Sequence, residues 1–208
     1  MTKIKICGIR RYEDVAAINK AMPDYVGFIF APGRRYVNPD MACQLRMMLD
    51  PKIISVGVFV NAELAEVAGI FDSGAISVVQ LHGDEEEAYI DKIKILLGCP
   101  IIKVVAVGEF FAPELVSKSA DYLLFDTLGR KRGGSGIPFD WSLIKGFRQQ
   151  PFFLAGGMNE TNVREAIELL SPYGVDVSSS LESEGFKDAE KIARFVSAVR
   201  EETPKSKI

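Results

Sequence analysis

Short runs of Val, Ile, Leu and Phe recur along the chain, and amphipathic stretches fill the gaps between them. The apolar runs predict strands over residues 3–7, 25–30, 53–59, 78–81, 101–105, 122–125, 152–154 and 175–177. Runs rich in branched and aromatic residues suit strands buried on both faces of a parallel sheet. Helical spacing predicts helices over residues 12–20, 39–49, 62–71, 84–97, 113–118, 141–148, 162–170 and 187–200. In the last of these Ile192, Phe195, Val196 and Val199 share one face. Asn38 ahead of Pro39 places a capping side chain before a first-turn proline.

Strands alternating with helices fit either a closed (β/α)8 barrel or an open doubly wound sheet. No Pro/Gly/Ser-rich linker divides the chain. No strand runs into a GxGxxG or GxxxxGK[ST] loop, so neither nucleotide-binding signature is present. A single closed α/β barrel of eight parallel strands over residues 1–208 is the better reading, with a frayed tail at 203–208.

Charge narrows the function classes. Lys and Arg total 25 against 28 Asp and Glu, a net charge of −3, which excludes a dedicated nucleic-acid surface. Cys7, Cys43 and Cys99 form no CxxC pair, so neither a disulfide framework nor a structural zinc site is expected. His82 is the only histidine, which rules out a multi-histidine metal centre within one chain. The opening MTKIKICGIR has no signal-peptide core, and no apolar run reaches membrane-helix length. The expectation is a cytoplasmic protein, monomeric or homodimeric, with a small-molecule partner, no metal and no membrane contact.

A barrel presents its chemistry at the C-terminal ends of its strands. Alternation along strand one puts Ile4 and Ile6 toward the helices and Lys5 and Cys7 toward the axis. The same logic turns Leu124 and Asp126 inward on strand six, and Asp176 belongs to strand eight. A thiol and two carboxylates then share one mouth. Singly, each has a plainer explanation: a free cysteine is commonly a small core residue, as Cys43 is read here, and a strand-end aspartate commonly caps the next loop or helix.

The loops add an anion signal. Ala155-Gly156-Gly157-Met158-Asn159 comes after strand seven, and Ser178-Ser179-Ser180 after strand eight. Glycines admit close backbone approach and helix starts present free N–H groups, so two such loops favour a phosphate. Arg34 and Arg35 after strand two could clamp a carboxylate, or could be two solvated loop arginines. Residues 129–136, GRKRGGSG, read as a mobile basic flap or as a plain loop. A lone histidine is more often structural, and His82 is not assigned as the general base.

The ordered segments KICGI, GFIFAPGRRYV, VGVFVN, QLHG, LLFDT, GGSGIPFDW, LAGGMN and GVDVSSSLE together resemble the phosphoribosylanthranilate isomerase family over nearly the whole chain. The resemblance implies a (β/α)8 barrel that carries out an Amadori rearrangement without a cofactor. It implies Cys7 as general base, Asp126 as general acid and Arg35 as the anthranilate-carboxylate ligand. Gly156, Gly157 and Ser178, Ser179 and Ser180 would hold the phosphate, and Asp176 would steer the amine or ribose. Gln80 and His82 of QLHG and Gly134 of GGSGIPFDW are further substrate-binding candidates.

Three positions depart from the family pattern: Ser180 replaces a usual glycine, Glu184 a usual proline, and GGSG a usual GGTG. Ser180 bears most on the site, since its hydroxyl either joins the phosphate site or weakens it. Lys5, on the same face as Cys7, is the expected aid to thiolate formation. A histidine-pathway sugar-phosphate isomerase would carry aspartate at the end of strand one, where Cys7 stands. A metal-dependent pentose-phosphate epimerase needs more histidines, and a non-catalytic ligand-binding barrel would require neither Cys7 nor Asp126.

Overall fold

The computed structural model describes residues 1–128 and 138–201. Eight parallel strands close into a barrel in chain order: β1 (Lys3–Cys7), β2 (Tyr25–Ile29), β3 (Ile54–Phe59), β4 (Val78–Leu81), β5 (Ile101–Val107), β6 (Tyr122–Thr127), β7 (Phe152–Leu154) and β8 (Gly174–Val177). β8 returns to β1 with Lys5 opposite Asp176. The closed barrel is therefore the architecture, not the open sheet.

Alternation divides the buried side chains into two cores. Tyr25, Val56, Val78, Ile102, Leu124, Phe153 and Ala155 pack along the axis. Ile4, Ile6, Val26, Phe28, Val79 and Phe125 face outward and meet the helices. Six α-helices are present among the described residues: α1 (Tyr12–Ala21), α2 (Pro39–Met48), α3 (Leu64–Asp72), α4 (Glu87–Leu97), α5 (Val163–Leu170) and α6 (Ala189–Arg200). The Asn38 cap forms as expected, its side chain accepting from the Met41 N–H at 2.8 Å.

Two expected helices are not α-helices. After β5 only a 3₁₀ turn forms, at Pro113–Leu115. The backbone beyond it is satisfied by side chains instead: Glu87 accepts from the N–H groups of Lys118 and Ser119, and Ser117 Oγ from that of Ala120. Side-chain acceptors of this kind compete with helix extension. After β6 the helix expected over 141–148 is a 3₁₀ turn, Trp141–Ile144, and Gly146 at φ 85° lies just beyond it. The last helix also starts later than expected. Residues 186–187 belong instead to a small hairpin, β9 (Glu182–Ser183) and β10 (Phe186–Lys187), before Asp188 caps α6.

Glu184 and Gly185 form the hairpin turn, both with positive φ, 51° and 83°. Two consecutive left-handed residues make the turn whose twist suits a tight hairpin. Proline, with φ fixed near about −65°, could not occupy position 184 in this conformation. The basic loop expected at 129–136 and the tail expected at 203–208 lie outside the described residues.

Candidate active site

A cavity of about 520 Å³ opens at the C-terminal end of the barrel. Cys7, Arg35, Gln80, His82, Asp126, Gly156, Gly157, Asp176, Ser178 and Ser179 all line it. The strand-end logic therefore brings together residues far apart in the chain, as in the contact between Cys7 and Ser178, 171 positions apart. Gly134 lies outside the described residues. Ser180 does not reach the cavity: its hydroxyl donates to the Met158 carbonyl at 2.6 Å and ties the β7 loop to the β8 loop.

Cys7 is buried at the end of β1. A Cβ on Gly27 of the neighbouring strand would lie 2.6 Å from its sulfur, so glycine there makes room for the thiol. Lys5, one inward position below, is fully buried and donates to Asp176 Oδ1 at 2.8 Å. Burial works against the ammonium, but Asp176 and Cys7 together hold Lys5 above its ordinary value. Burial also pushes the Cys7 thiol up. Lys5 and Lys187 offset this only in part, and Asp176 adds to it. The expected aid from Lys5 is present, yet burial outweighs it and the resting group is the thiol. Burial raises Asp176 too, against the pull of Lys5.

Asp126 is the penultimate residue of β6, three strands round the barrel from β1. Its Oδ1 accepts from the Thr127 N–H at 2.8 Å, and its Oδ2 lies 3.5 Å from His82 Nε2. His82 Nδ1 in turn meets Gln80 Nε2 at 3.2 Å. His82, just past the end of β4 and met by Gln80 from behind, thus sits beside the carboxylate, a part that suits it better than proton abstraction from substrate.

The loops after β7 and β8 are braced from behind. Gly156 and Gly157 have φ of 78° and 71°, which curls the backbone at the head of the β7 loop. The Gly157 carbonyl is turned away from the cavity into the side-chain amides of Asn159 and Asn162, at 3.2 and 3.0 Å. After β8 the chain enters a 3₁₀ turn at Ser179–Leu181. Ser178 Oγ donates to the Cys7 carbonyl at 2.9 Å and fixes this turn to the end of β1.

The model of the family N-(5'phosphoribosyl)anthranilate (PRA) isomerase matches residues 4–198. The chain belongs to the phosphoribosylanthranilate isomerase family. The family member of Endomicrobium trichonymphae is 45% identical over 201 residues, covering 96% of this chain and 99% of that protein. A crystal structure of a phosphoribosylanthranilate isomerase in complex with reduced 1-(o-carboxyphenylamino)-1-deoxyribulose 5-phosphate superposes with a TM-score of 0.81 at 34% identity, covering 95% of this chain and 98% of that one. Monomers generated from the dimeric phosphoribosylanthranilate isomerase of Thermotoga maritima give a TM-score of 0.82 at 34% identity, with the same coverages.

Two contributors escaped the reading from sequence. Lys187, expected to open the last helix, is a buried cation whose Nζ donates to the Ser178 carbonyl at 2.9 Å. Burial holds it below the ordinary lysine value, although Glu182 and Cys7 pull the other way. Glu182 is the second. It accepts from Arg35, from Arg34 at 2.7 Å and from Lys187 at 3.2 Å. Burial opposes its charge, but Arg35 and Lys187 outweigh that and hold it below the ordinary carboxylate value. The glycine of Ser183-Glu184-Gly185-Phe186 was the available signal, since a tight turn there places residues 182 and 187 opposite each other.

Proposed function

We propose that this chain converts N-(5'-phosphoribosyl)anthranilate to 1-(2-carboxyphenylamino)-1-deoxyribulose 5-phosphate, a step of tryptophan biosynthesis, with Cys7 as general base and Asp126 as general acid. The observation that carries the reading is the convergence of that thiol and that carboxylate on one cavity, between two anion-holding loops and an arginine.

The substrate is anionic at both ends, and the cavity offers a matching partner for each. The phosphate lies against the Gly156–Gly157 curl and the Ser178–Ser179 turn, where backbone N–H groups favour an anion. The anthranilate carboxylate meets Arg35, with Ile29, Pro32 and Val58 forming an apolar wall for the ring. The ribose then spans the axis between Cys7 and Asp126, with Asp176 beside it.

Asp126 delivers a proton to the ring oxygen as the C1'–O bond breaks. The nitrogen lone pair moves into a C1'=N bond, leaving an iminium ion. That cation acidifies the C2' hydrogen, and the Cys7 thiolate removes it as a proton. The C2'–H electrons form the C1'=C2' bond and the nitrogen regains its lone pair. Tautomerisation of the resulting enolamine gives the ketone. Because burial favours the protonated thiol, the thiolate is the minor form at neutral pH.

The test is loss of fluorescence from phosphoribosylanthranilate generated in situ. Cys7→Ala and Asp126→Asn should each lower kcat by a factor of about 10²–10⁴ while the protein stays folded and binds product. Cys7→Ser should be nearly as inactive as Cys7→Ala, since a hydroxyl yields almost no anion at neutral pH. A Cys7→Ala variant that kept most of its kcat would sink the general-base role.

A further inference from the structure

The β9–β10 hairpin rises beside the cavity on the edge where β1, β2 and β8 meet, and its construction serves one side chain. Arg10 and Arg11 stack on the Phe186 ring, at 4.7 and 4.0 Å to its centre, and Arg10 Nη2 donates to the Gly185 carbonyl at 2.9 Å. These contacts fasten the hairpin to the segment after β1. Glu182, thus held, is buried although it carries a charge, with 6% of its side chain exposed.

Its two oxygens grip one edge of the Arg35 guanidinium: Nε donates to Oε1 at 2.5 Å and Nη2 to Oε2 at 3.1 Å. Arginine has five N–H donors in a fixed plane, so this grip leaves Nη1 and the second Nη2 proton on the remaining edge. A planar fork already held on one side offers the other to a carboxylate without having to be ordered on binding. Lys187, opposite Glu182 in the hairpin, shares Oε1 and reaches the Ser178 carbonyl, which joins the arginine to the phosphate turn.

We propose that Glu182 is a positioning residue that sets the Arg35 guanidinium for the anthranilate carboxylate, and so acts on substrate recognition rather than on proton transfer. The proposal rests on the reading of Arg35 given above. Three cations surround this one carboxylate, so the edge stays net positive and Glu182 does not cancel the attraction for an anionic substrate.

The experiment compares two compounds, phosphoribosylanthranilate and the equivalent adduct made from aniline, which lacks the carboxylate. Glu182→Gln should raise KM for the first about tenfold, leave kcat within about twofold and leave KM for the second unchanged. Glu182→Asp, which keeps the charge on a shorter stem, should recover part of the loss. In an Arg35→Ala background Glu182→Gln should add nothing. An unchanged KM in Glu182→Gln, with Arg35→Ala impaired, overturns the positioning role alone. Equal KM rises for both compounds, or a full further loss in the Arg35→Ala background, show a general structural role and overturn it as well. Arg35→Ala with no effect on discrimination between the compounds overturns the reading of Arg35 itself. If Glu182→Gln does not fold, the same comparisons made with Glu182→Asp decide the matter.

Discussion

Lys5 and Asp176 form a buried ion pair of 2.8 Å across the seam that closes the barrel, one inward position below Cys7. The pair governs the thiol. Lys5 favours the thiolate, Asp176 opposes it, and burial opposes it more strongly than either, so the thiol titrates above its ordinary value of 9.0. The thiolate fraction of the free enzyme should therefore climb with pH through the neutral range without levelling. Asp176→Asn keeps an oxygen for Lys5 while removing the negative charge. It should lower the Cys7 pKa, read as the difference in ultraviolet thiolate absorbance between each protein and its Cys7→Ser counterpart. A thiol pKa unchanged or raised by Asp176→Asn would show that the carboxylate does not control it.

The same raised value has a stability consequence of definite sign. The folded state holds the Cys7 proton more tightly than the unfolded chain does. That contribution is complete below the ordinary thiol value and is lost as pH rises through the folded value. Wild-type Tm should therefore fall more steeply than that of Cys7→Ala above about pH 9. Parallel melting curves across that window would contradict the assignment.

Burial decides how much of the molecule is legible in the sequence. Strands β1, β4 and β7 run between the residues expected, because a strand buried on both faces leaves a continuous apolar run. Inward placement of Cys7 and Asp126 came from simple alternation. The 3₁₀ turn after β5 was not legible, because Glu87, which satisfies the backbone beyond it, lies on α4 more than thirty residues away. Glu182 and Lys187 were missed for a related reason. A four-residue turn decides that they face each other, and Arg35, which gives Glu182 its purpose, lies 147 positions earlier.

The anion loops can be tested with inorganic phosphate. It should inhibit competitively by occupying the curl between Gly156 and the Ser178 turn. Gly157→Val forces a branched side chain into φ of 71° and should abolish both that inhibition and substrate binding. Ser180→Ala removes the hydroxyl that ties the β8 loop to Met158 and should cost about 0.5–1.5 kcal/mol. It should leave the phosphate inhibition constant nearly unchanged, since that hydroxyl points away from the cavity. A large rise in that constant would place the Ser180 side chain on the ligand instead.

The hairpin turn carries a correctable strain. Glu184 adopts a φ of 51°, where asparagine is far more at home, and the next residue is already glycine. Glu184→Asn should stabilise the protein by about 0.5–1 kcal/mol. For a chain of this size that corresponds to a Tm rise of about 1–4 °C. Activity should not change, because Glu184 does not line the cavity. A lower Tm would mean that the turn has a different conformation.

Gly27 gives the sharpest separation of catalysis from stability. A Cβ there would sit 2.6 Å from the Cys7 sulfur and 3.2 Å from its Cα, and the strand pairing of Cys7 with Gly27 leaves the backbone little freedom to retreat. Gly27→Ala must therefore displace the thiol from the axis. Overpacking of this kind costs about 1–3 kcal/mol, whereas a misplacement of about 1 Å at a reacting group costs about 10²-fold in rate. The variant should stay folded at moderate temperature and lose about two orders of magnitude in kcat, with KM little altered because Arg35 and the phosphate loops are untouched. Pairing it with Cys7→Ala supplies the control. Without the sulfur only the tight contacts to the Cα and Cβ of residue 7, at 3.2 and 3.3 Å, remain, so the double variant should recover part of the lost stability and be no less active than Cys7→Ala alone. If Gly27→Ala kept full kcat, the thiol would have tolerated the shift, and its position on the axis would not be what the reaction depends on.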